Sequence, residues 1–296
     1  MKWNTSRFVI DLTRPKVMGI VNVTPDSFSD GGRYAAAASA LRHCEKLLRD
    51  GADILDIGGE SSRPGALPVP LHEELARVLP VLRGAVSLGV PVSVDTCKPE
   101  VMQAALDVGV DIINDIWALR RCAAHVGASS LDALQVVLRH GACGVCLMHM
   151  HGEPQSMQVQ PMTGDVVPQV LSFLQHVALS LQDLGVNKNR IVIDPGIGFG
   201  KTVEQNFTLL ARQRELAGDD YPLLVGWSRK SSLAQMVGRS ENEPAADAAH
   251  PRMVASVAAA LLALERGASI VRAHDVLETV QAINVIHAIR SVAYKQ

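Results

Sequence analysis

The sequence predicts an α/β protein folded as a single (β/α)8 barrel, or TIM barrel, and three observations lead to this prediction. A glycine suited to end a helix precedes a short apolar segment six times along the chain. Two further apolar segments, Lys16–Asn22 and Tyr221–Gly226, bring the number of strands to eight. Enough residues for a helix or a short crossover separate each strand from the next. The six glycines are Gly51, Gly89, Gly109, Gly141, Gly185 and Gly267.

The predicted elements follow one another in chain order. Val17–Val21 is apolar and rich in β-branched residues, as expected for a strand buried on both faces. The next segment, Tyr34–Asp50, places Leu41, Cys44 and Leu48 on one face of a helix. The later strands are predicted in ADILDIG, VPVSVD, VDIIND, ACGVCLMH, VNKNRIVID, residues 221–226 and ASIVRAHD.

We expect residues 1–296 to form one domain, because no linker rich in Pro, Gly or Ser divides the chain. The length suits a barrel, which commonly needs about 250 residues. A doubly wound open sheet is the structural alternative, since the order of the strands cannot be read from the sequence.

Composition limits the classes of function. A formal net charge of −2 argues against a general attraction to nucleic acid, so that any anion site must be local. The longest nearly apolar stretch, Val254–Leu264, is too short to span a bilayer, and no signal-peptide pattern opens the chain. Five cysteines are too few for a disulfide scaffold. We expect a soluble cytoplasmic protein with reduced thiols.

Nearly every predicted strand ends in a polar residue. Catalytic groups of a barrel lie at the C-terminal ends of its strands, so we expect the active site there. In strand order these residues are Asn22, Asp56, Asp95, Asn114 and Asp115, His149, Asp194, Ser228 to Lys230, and Arg272 and His274.

Two groups of these residues indicate ligand chemistry. Arg63, Arg272 and His274 are cationic candidates for a phosphate or pyrophosphate, and Asn22 offers an amide oxygen suited to Mg²⁺. The alternative is that Arg272 and His274 only pair with Asp275 and surface acids.

The second group is Asp95, Asn114 and Asp194. Carboxylates within apolar sequence need hydrogen-bond donors, and a heterocycle with adjacent amino and ring N–H groups supplies them. A two-carboxylate acid/base site or metal site fits the spacing equally well.

Three other motifs favour structural interpretations. The segment DPGIGFGK has the spacing of neither nucleotide-binding glycine motif, and predicts a tight turn that leaves Phe199 to line a pocket. The pair His149 and His151 could bind zinc, but no further ligand set completes such a site. The pair Cys143 and Cys146 lies in an apolar strand, which disfavours redox or zinc chemistry.

Eight motifs, in order, closely resemble the motif set of bacterial dihydropteroate synthases over about residues 16–280. They are GIVNVTPDSFSDGG, DIGGESSRPGA, SVDT, INDI, LMHMHG, DPGIGFGK, GWSRKS and RAHDV. The resemblance implies a transferase that joins 4-aminobenzoate to 6-hydroxymethyl-7,8-dihydropterin diphosphate. The products would be diphosphate and 7,8-dihydropteroate, for folate synthesis, and sulfonamides would compete with aminobenzoate.

The resemblance also implies a role for each matching residue. Asn22 would bind Mg²⁺. The residues implied for the pterin are Asp95, Asn114, Asp194, Lys230 and Arg272. Those implied for the diphosphate are Asn22, Ser62, Arg63, Arg272 and His274. Those implied for aminobenzoate are Phe28, Ser62, Pro64, Phe199, Lys230 and Ser231. Those implied for catalysis are Asp30, Arg63, Asp95 and Lys230.

In the implied mechanism the diphosphate leaves, the pterin methylene becomes cationic and the arylamine captures it. The loops containing Asp30 and Arg63 would close to exclude water. Ser62 stands where the family usually has threonine, His151 where it often has glutamine, and Arg120–Ser130 does not follow the family pattern. The resemblance further implies a homodimer, formed through the late alanine-rich helix. The competing hypotheses are a pterin-dependent methyltransferase and a paralogue that binds pterin without catalysis.

Overall fold

The structure, a computed structural model, describes residues 1–24, 32–63, 65–120, 131–218, 220–236 and 245–293. Ten strands and nine α-helices occur in these residues. The strands are β1 (Lys2–Asn4), β2 (Val9–Asp11), β3 (Lys16–Asn22), β4 (Ile54–Gly58), β5 (Val92–Asp95), β6 (Ile112–Asp115), β7 (Gly144–Met148), β8 (Ile191–Asp194), β9 (Leu224–Val225) and β10 (Ile270–Ala273). The helices are α1 (Gly32–Arg49), α2 (Leu71–Val86), α3 (Pro99–Asp107), α4 (Ala133–His140), α5 (Val166–Asp183), α6 (Val203–Ala211), α7 (Ser231–Met236), α8 (Ala245–Glu265) and α9 (Val276–Ala293).

Strands β3 to β10 form one parallel barrel. Each strand pairs with its neighbour in sequence from β3 to β8, and β10 pairs with both β3 and β9. A parallel bridge between Ile193 and Leu223 links the remaining two strands, β8 and β9, and the Ile193 amide donates to the Pro222 carbonyl at 3.0 Å. The strands therefore follow chain order around a ring. The prediction of a (β/α)8 barrel is confirmed, and the open-sheet alternative is wrong.

The six predicted helix-ending glycines all adopt the left-handed backbone conformation. Their φ angles lie between 74° and 101°, a region that side chains disfavour, so each glycine ends its helix and turns the chain toward the next strand. The predicted first helix is confirmed by α1. The predicted strand at 221–226 is shorter than expected, since only Leu224–Val225 has regular strand pairing.

An N-terminal hairpin, which the sequence pattern did not reveal, closes the lower end of the barrel. Strands β1 and β2 pair antiparallel, and the Trp3 side chain is fully buried, with its indole N–H donating to the Arg190 carbonyl at 2.9 Å. Trp3 packs in one cluster with Ile10, Leu12 and an apolar layer inside the barrel. That layer, called the lower layer below, consists of Met18, Ile54, Ile112, Cys146, Val192, Leu224 and Ile270.

The second core lies between the strands and the surrounding helices. Cys143 belongs to this outer core, whereas Cys146 belongs to the lower layer, and both are free thiols. The expectation that they form no redox or zinc pair agrees with this separation. Among the described residues, no helix is both long enough and apolar enough to cross a bilayer.

Candidate active site

A polar layer lies directly above the lower layer and shares four of its strands with it. Side chains of a strand alternate between its two sides, so the second residue after an inward-facing one also faces the barrel interior. Asp56 thus follows Ile54, and Arg272 follows Ile270. The residues of this upper layer are Asp56, Asp95, Asn114, Asp194 and Arg272, all at or near the C-terminal ends of their strands.

The Arg272 guanidinium joins two of these carboxylates. Its Nε donates to Asp56 Oδ2 at 2.6 Å, and one terminal nitrogen donates to Asp95 Oδ2 at 2.7 Å. Burial raises the pKa of Asp95 to about 7, with Arg272 opposing the shift and Asp56 adding to it. Burial opposes the charge of Arg272, yet Asp56 and Asp95 raise the pKa of this arginine. The guanidinium is therefore a permanent cation.

The alternative that Arg272 and His274 merely pair with Asp275 is wrong for this structure. Asp275 is paired with Arg229. His274 interacts instead with Ser228, whose Oγ lies 2.9 Å from its Nδ1 and accepts from its backbone amide at 3.0 Å.

Three oxygen atoms of the upper layer remain for a ligand, in addition to the buried Asp56 Oδ1, which also has no hydrogen-bond partner. Asp56 Oδ2 also accepts from Asn114 Nδ2 at 3.2 Å, so the Asn114 amide oxygen is directed away from this contact. Asp194 Oδ1 accepts from the Gly196 amide at 2.7 Å, and burial raises the pKa of Asp194. Within the described residues, Asp95 Oδ1, Asn114 Oδ1 and Asp194 Oδ2 have no hydrogen-bond donor. The layer can therefore accept several N–H groups from one molecule.

Lys230 lies beside this layer and against an aromatic ring. Its Nζ is 4.3 Å from the centroid of Phe199. Burial lowers the pKa of Lys230 to about 8, with Asp194 opposing and Arg272 adding to the shift. The lysine remains mostly protonated at neutral pH and can donate to a ligand between Asp194 and Phe199.

The loop after β8 is held by a buried lysine whose importance the sequence reading missed. Lys201 is 1% exposed, and its Nζ lies 2.9 Å from both His149 Nδ1 and the Gly196 carbonyl oxygen and 3.1 Å from the Phe199 carbonyl oxygen. The tight turn predicted for DPGIGFGK is confirmed by positive φ at Gly196, Gly198 and Gly200. A Cβ at Gly196 would lie 1.9 Å from the His149 carbonyl oxygen, so only glycine fits there.

The structure gives no support to a histidine metal site. His149 faces Lys201, and burial together with that cation lowers its pKa to about 2. Among the residues that the structure describes, no cluster of three or more His, Cys, Asp or Glu could hold a metal ion. The alternative of a two-carboxylate acid/base site or metal site at Asp95, Asn114 and Asp194 stays a prediction.

The cationic candidates meet at the rim of the barrel. Burial lowers the pKa of His274 well below its usual value, and the positive charges of Arg229, Arg272, Arg63 and Lys230 lower it further. Arg63 is exposed, yet its charge also contributes to the lowered pKa of Lys230. The structure thus gathers Arg63, Lys230, Arg272 and His274 within electrostatic reach of one another.

The remaining predicted residues differ in how far the structure describes them. Asn22 ends β3 beside Gly58, Ser62 follows β4 in a half-buried position, and Ser231 is exposed at the start of α7. Phe28, Asp30 and Pro64 lie outside the described residues, as does most of the segment 120–130.

A cavity of about 320 Å³ opens beside Asp95. Its lining includes Ser62 of the loop after β4, together with Trp117 and Pro154. A hydrogen bond of 3.1 Å from the Gly65 amide to the Pro154 carbonyl joins the loop after β4 to the segment that contains Pro154. The cavity is continuous with Asp95, so its size and lining suit a small organic molecule.

Comparisons with known proteins agree with this architecture. The pterin binding enzyme family matches residues 18–274. Dihydropteroate synthase of Neisseria meningitidis serogroup C is 47% identical over 290 residues, which are 97% of each chain. Burkholderia cenocepacia dihydropteroate synthase, solved with 7,8-dihydropteroate, is 47% identical with a TM-score of 0.86 and covers 100% of this chain and 98% of its own.

A third similar protein is Yersinia pestis dihydropteroate synthase, solved in a sulfonamide drug complex. It is 42% identical with a TM-score of 0.86, and the match covers 98% of this chain and 100% of that one. The shared fold, the near-complete coverage and the level of identity agree with one another. The chain belongs to the pterin binding enzyme family, and within it to the dihydropteroate synthases.

Proposed function

We propose that this protein condenses 6-hydroxymethyl-7,8-dihydropterin diphosphate with 4-aminobenzoate, giving 7,8-dihydropteroate and diphosphate. One observation carries the proposal. Acceptor atoms of Asp95, Asn114 and Asp194 converge with two cations, Arg272 and Lys230, at the C-terminal end of a barrel. This combination fits a heterocycle that presents N–H donors on one edge and carries an anionic substituent.

The upper layer would bind the pterin. Asp194 Oδ2, Asn114 Oδ1 and Asp95 Oδ1 would accept hydrogen bonds from its amino and ring N–H groups, while Lys230 would donate to its carbonyl or ring nitrogen. Arg272 is held between Asp56 and Asp95, so its guanidinium plane is preorganised beside the ring. A ligand that lacked these donors would leave buried carboxylates unpaired, which makes the pocket selective.

The rim would bind the diphosphate. Arg63 and His274 would act there with Arg272, and the Ser62 hydroxyl would donate a hydrogen bond. Because His274 lies among cations, it is neutral before substrate binds, and a bound dianion would raise its pKa. The rim is therefore suited to a ligand whose negative charge balances several cations.

Mg²⁺ fits this rim as an ion that arrives with the substrate. Asn22, the last residue of β3, provides one neutral oxygen. With no cluster of acidic or histidine ligands among the described residues, waters and substrate phosphates would complete the coordination. Bound there, Mg²⁺ would neutralise part of the charge on the leaving diphosphate. Asn22→Ala should weaken the Mg²⁺ dependence of diphosphate binding, measured by calorimetry.

Aminobenzoate would bind between the β4 and β8 sides of the rim. Phe199 would pack on its ring, and Lys230 and Ser231 would face its carboxylate, with Ser62 nearby. Phe28 and Pro64, which lie outside the described residues, complete the set implied by family membership. Sulfonamides, which share the arylamine, would compete for this position, as a drug of this class binds the Yersinia pestis relative.

The reaction would break the C–O bond to diphosphate and form a C–N bond to the arylamine. Arg63 and the other rim cations would stabilise the departing anion, and the Asp95 carboxylate would stabilise the cationic methylene. An aromatic amine is unprotonated at neutral pH, so it needs no strong base and loses its proton to solvent after attack. Lys230 would hold both substrates, and Asp30 would help to exclude water once its loop closes.

The test is to incubate purified protein with both substrates and Mg²⁺, and to quantify dihydropteroate and diphosphate. We expect equal amounts of the two products, and a sulfonamide should raise the KM for aminobenzoate without changing kcat. Tight pterin binding with neither product would support the non-catalytic paralogue. Methyl transfer from a methylated tetrahydropterin to a corrinoid, tested in a separate incubation, would support the methyltransferase, although the SSRPG and SRKS segments favour aminobenzoate.

We further propose a cytoplasmic homodimer of single-domain subunits spanning residues 1–296. Helices α8 and α9 support the dimer, because they expose large apolar side chains that a second copy could cover. These side chains are Val254, Leu262, Leu277, Val285 and Ile289. The free thiols of Cys44, Cys143 and Cys146 suit a reducing compartment. Light scattering coupled to gel filtration measures the subunit number.

A further inference from the structure

A buried charged cluster lies beneath the loop that follows β4, and its residues Glu60, Glu74 and Thr96 line the cavity beside Asp95 without being among the substrate contacts proposed above. The Lys98 side chain is 2% exposed, and its ammonium contacts the carboxylates of both Glu60 and Glu74. Glu60 follows β4, Glu74 lies in the first turn of α2, and Lys98 comes three residues after Asp95. The Lys98 cluster, defined by these three residues and Thr96, therefore connects the loop to the strand that carries Asp95.

Hydrogen bonds complete the buried side of this cluster. The Thr96 hydroxyl donates to Glu74 Oε1 at 2.7 Å, and the Lys98 amide donates to Thr96 Oγ1 at 3.2 Å. Burial raises the pKa of Glu74, although Lys98 opposes this shift. Burial disfavours the charged form of Lys98 too, but the two carboxylates raise its pKa overall. Lys98 therefore stays protonated and holds both acids.

Glu74 and Glu60 differ in exposure to solvent, and so in the role that their contacts with Lys98 can have. Glu74 is fully buried, so its pairing with Lys98 compensates a charge inside the protein. Glu60 has a side chain that is 23% exposed, and it directly precedes Ser61, Ser62 and Arg63. A buried ion pair is weak evidence for stability, so the pairing of Glu60 with Lys98 is of interest for the geometry of the loop that Glu60 begins.

The stem of the loop is fixed at two successive residues. Arg77 of α2 donates to the Gly59 carbonyl at 2.7 Å, and Lys98 holds the next side chain, Glu60. A Cβ at Gly59 would lie 2.6 Å from a Val78 methyl carbon, so the backbone packs closely against α2. After this point the side chains of Ser62 and Arg63 face the cavity and the solvent.

We propose that the Glu60–Lys98 ion pair positions Ser62 and Arg63 relative to Asp95, and so controls binding at the aminobenzoate and diphosphate end of the site. The inference rests on the proposed function, because it assigns Glu60 and Lys98 as positioning residues for that reaction. The pterin ring is held by strand residues that the pair does not touch. The pair should therefore affect one end of the site and leave the other unchanged.

Glu60→Gln is the test variant and Glu74→Gln is its matched control, because both replace an acid that Lys98 holds. For Glu60→Gln we expect a rise of about tenfold in the KM for aminobenzoate, the equivalent of one charge-assisted hydrogen bond. Its Kd for 6-hydroxymethyl-7,8-dihydropterin without diphosphate should stay within about twofold, and its Tm near that of the wild type. Glu74→Gln should show the reverse pattern, with a lower Tm and an almost unchanged KM.

A double variant tests the Glu60–Lys98 pair by removing Lys98 instead of Glu60. It also removes Glu74, so that no buried charge is left unpaired to destabilise the fold. Lys98→Met with Glu74→Met removes the buried charge pair together, and should reproduce the KM of Glu60→Gln because Glu60 again lacks its partner. If Glu60→Gln keeps a wild-type KM, or lowers Tm and weakens both ends of the site equally, the positioning role is wrong. A wild-type protein that forms no product would instead overturn the proposed function.

Discussion

The lower and upper layers of the barrel interior share strands β4, β6, β8 and β10, on which they lie two residues apart, yet they are built from opposite residue types. The lower layer is apolar and is sealed from below by Trp3. The upper layer carries Asp56, Asp95 and Arg272, whose charges are only partly compensated. The lower layer can gain stability by excluding water, whereas the upper layer keeps acceptor atoms unsatisfied for a ligand. A displacement of about 7 Å along a strand thus separates stabilising from functional positions.

Arg272→Met should have the largest effect on activity, because it removes the cation of the upper layer. It leaves Asp56 and Asp95 without their cation, so we expect kcat/KM to fall by about 10³-fold and the free energy of unfolding by about 3 kcal/mol. Steady-state kinetics and urea unfolding at pH 8 measure the two effects. Arg266→Met, at a half-buried arginine that donates to the Leu262 carbonyl in its own helix turn, is the control and should change neither. A variant with wild-type kcat/KM would remove Arg272 from the site.

Trp3→Ala should break the lower layer and leave the upper layer intact. The indole is fully buried and donates to the Arg190 carbonyl, so its loss should lower the free energy of unfolding by about 4 kcal/mol. We expect the KM for both substrates to remain within about twofold at a temperature where the variant is folded. Trp3→Phe, which keeps much of the apolar volume, should lose less stability. A change in KM as large as that of Arg272→Met would show that the layers are coupled.

The pH dependence of stability should distinguish the layers as well. Burial raises the pKa of Asp95 to about 7, so the folded state binds a proton that the unfolded state has lost above about pH 4. Stability should therefore fall as pH rises from about 4 to about 7. Asp95→Asn should reduce this slope by up to about 1.4 kcal/mol per pH unit, measured by urea unfolding across that range. Asp53→Asn, on the lower rim beside Lys16, is the control and should keep the wild-type slope.

Ser62→Thr should have the smallest effect on binding. It tests whether the loop after β4 tolerates a change in side-chain size better than the barrel interior does. It adds a methyl group on a half-buried loop residue that lines the cavity and keeps the hydroxyl. We expect the KM for aminobenzoate to change by about twofold or less, because a loop can adjust to one methyl group. Parallel kinetics with Ser87→Thr, at an exposed serine that caps the C-terminus of α2, provide the control. A tenfold change would mean that the loop is as rigid as the barrel interior.

Much of the barrel could be predicted because its signals are local. Gly51 and Gly267 end helices through their own backbone freedom, and a glycine followed by an apolar segment repeats that signal along the chain. The C-terminal ends of the strands were predicted from local apolar segments as well. The polar residues at these ends include Asp95, Asn114 and Asp194. The hairpin was missed because β1 and β2 are only three residues each, too short for a periodic pattern.

The contacts of the site could not be predicted, because they join residues far apart in the sequence. Nothing near Arg272 indicates that it would bind Asp56 and Asp95, which precede it by 216 and 177 residues. Lys201 was read as part of a glycine turn, although its ammonium organises that turn through His149 and two carbonyl oxygens. Glu74 and Lys98 belong to none of the eight motifs, and Glu60 lies within DIGGESSRPGA without any role being predicted for it.

The sequence by itself determined the fold class, the ends of the strands that carry the chemistry, and the family resemblance. Only the tertiary structure decided which charges meet, which of them are buried, and which acceptor atoms stay available to a ligand. The physical reason is that backbone propensity acts over a few residues, whereas electrostatic energy depends on distance and on exclusion of water. Closure of the barrel sets both of these quantities at once, because it brings the strand ends together and seals the interior beneath them.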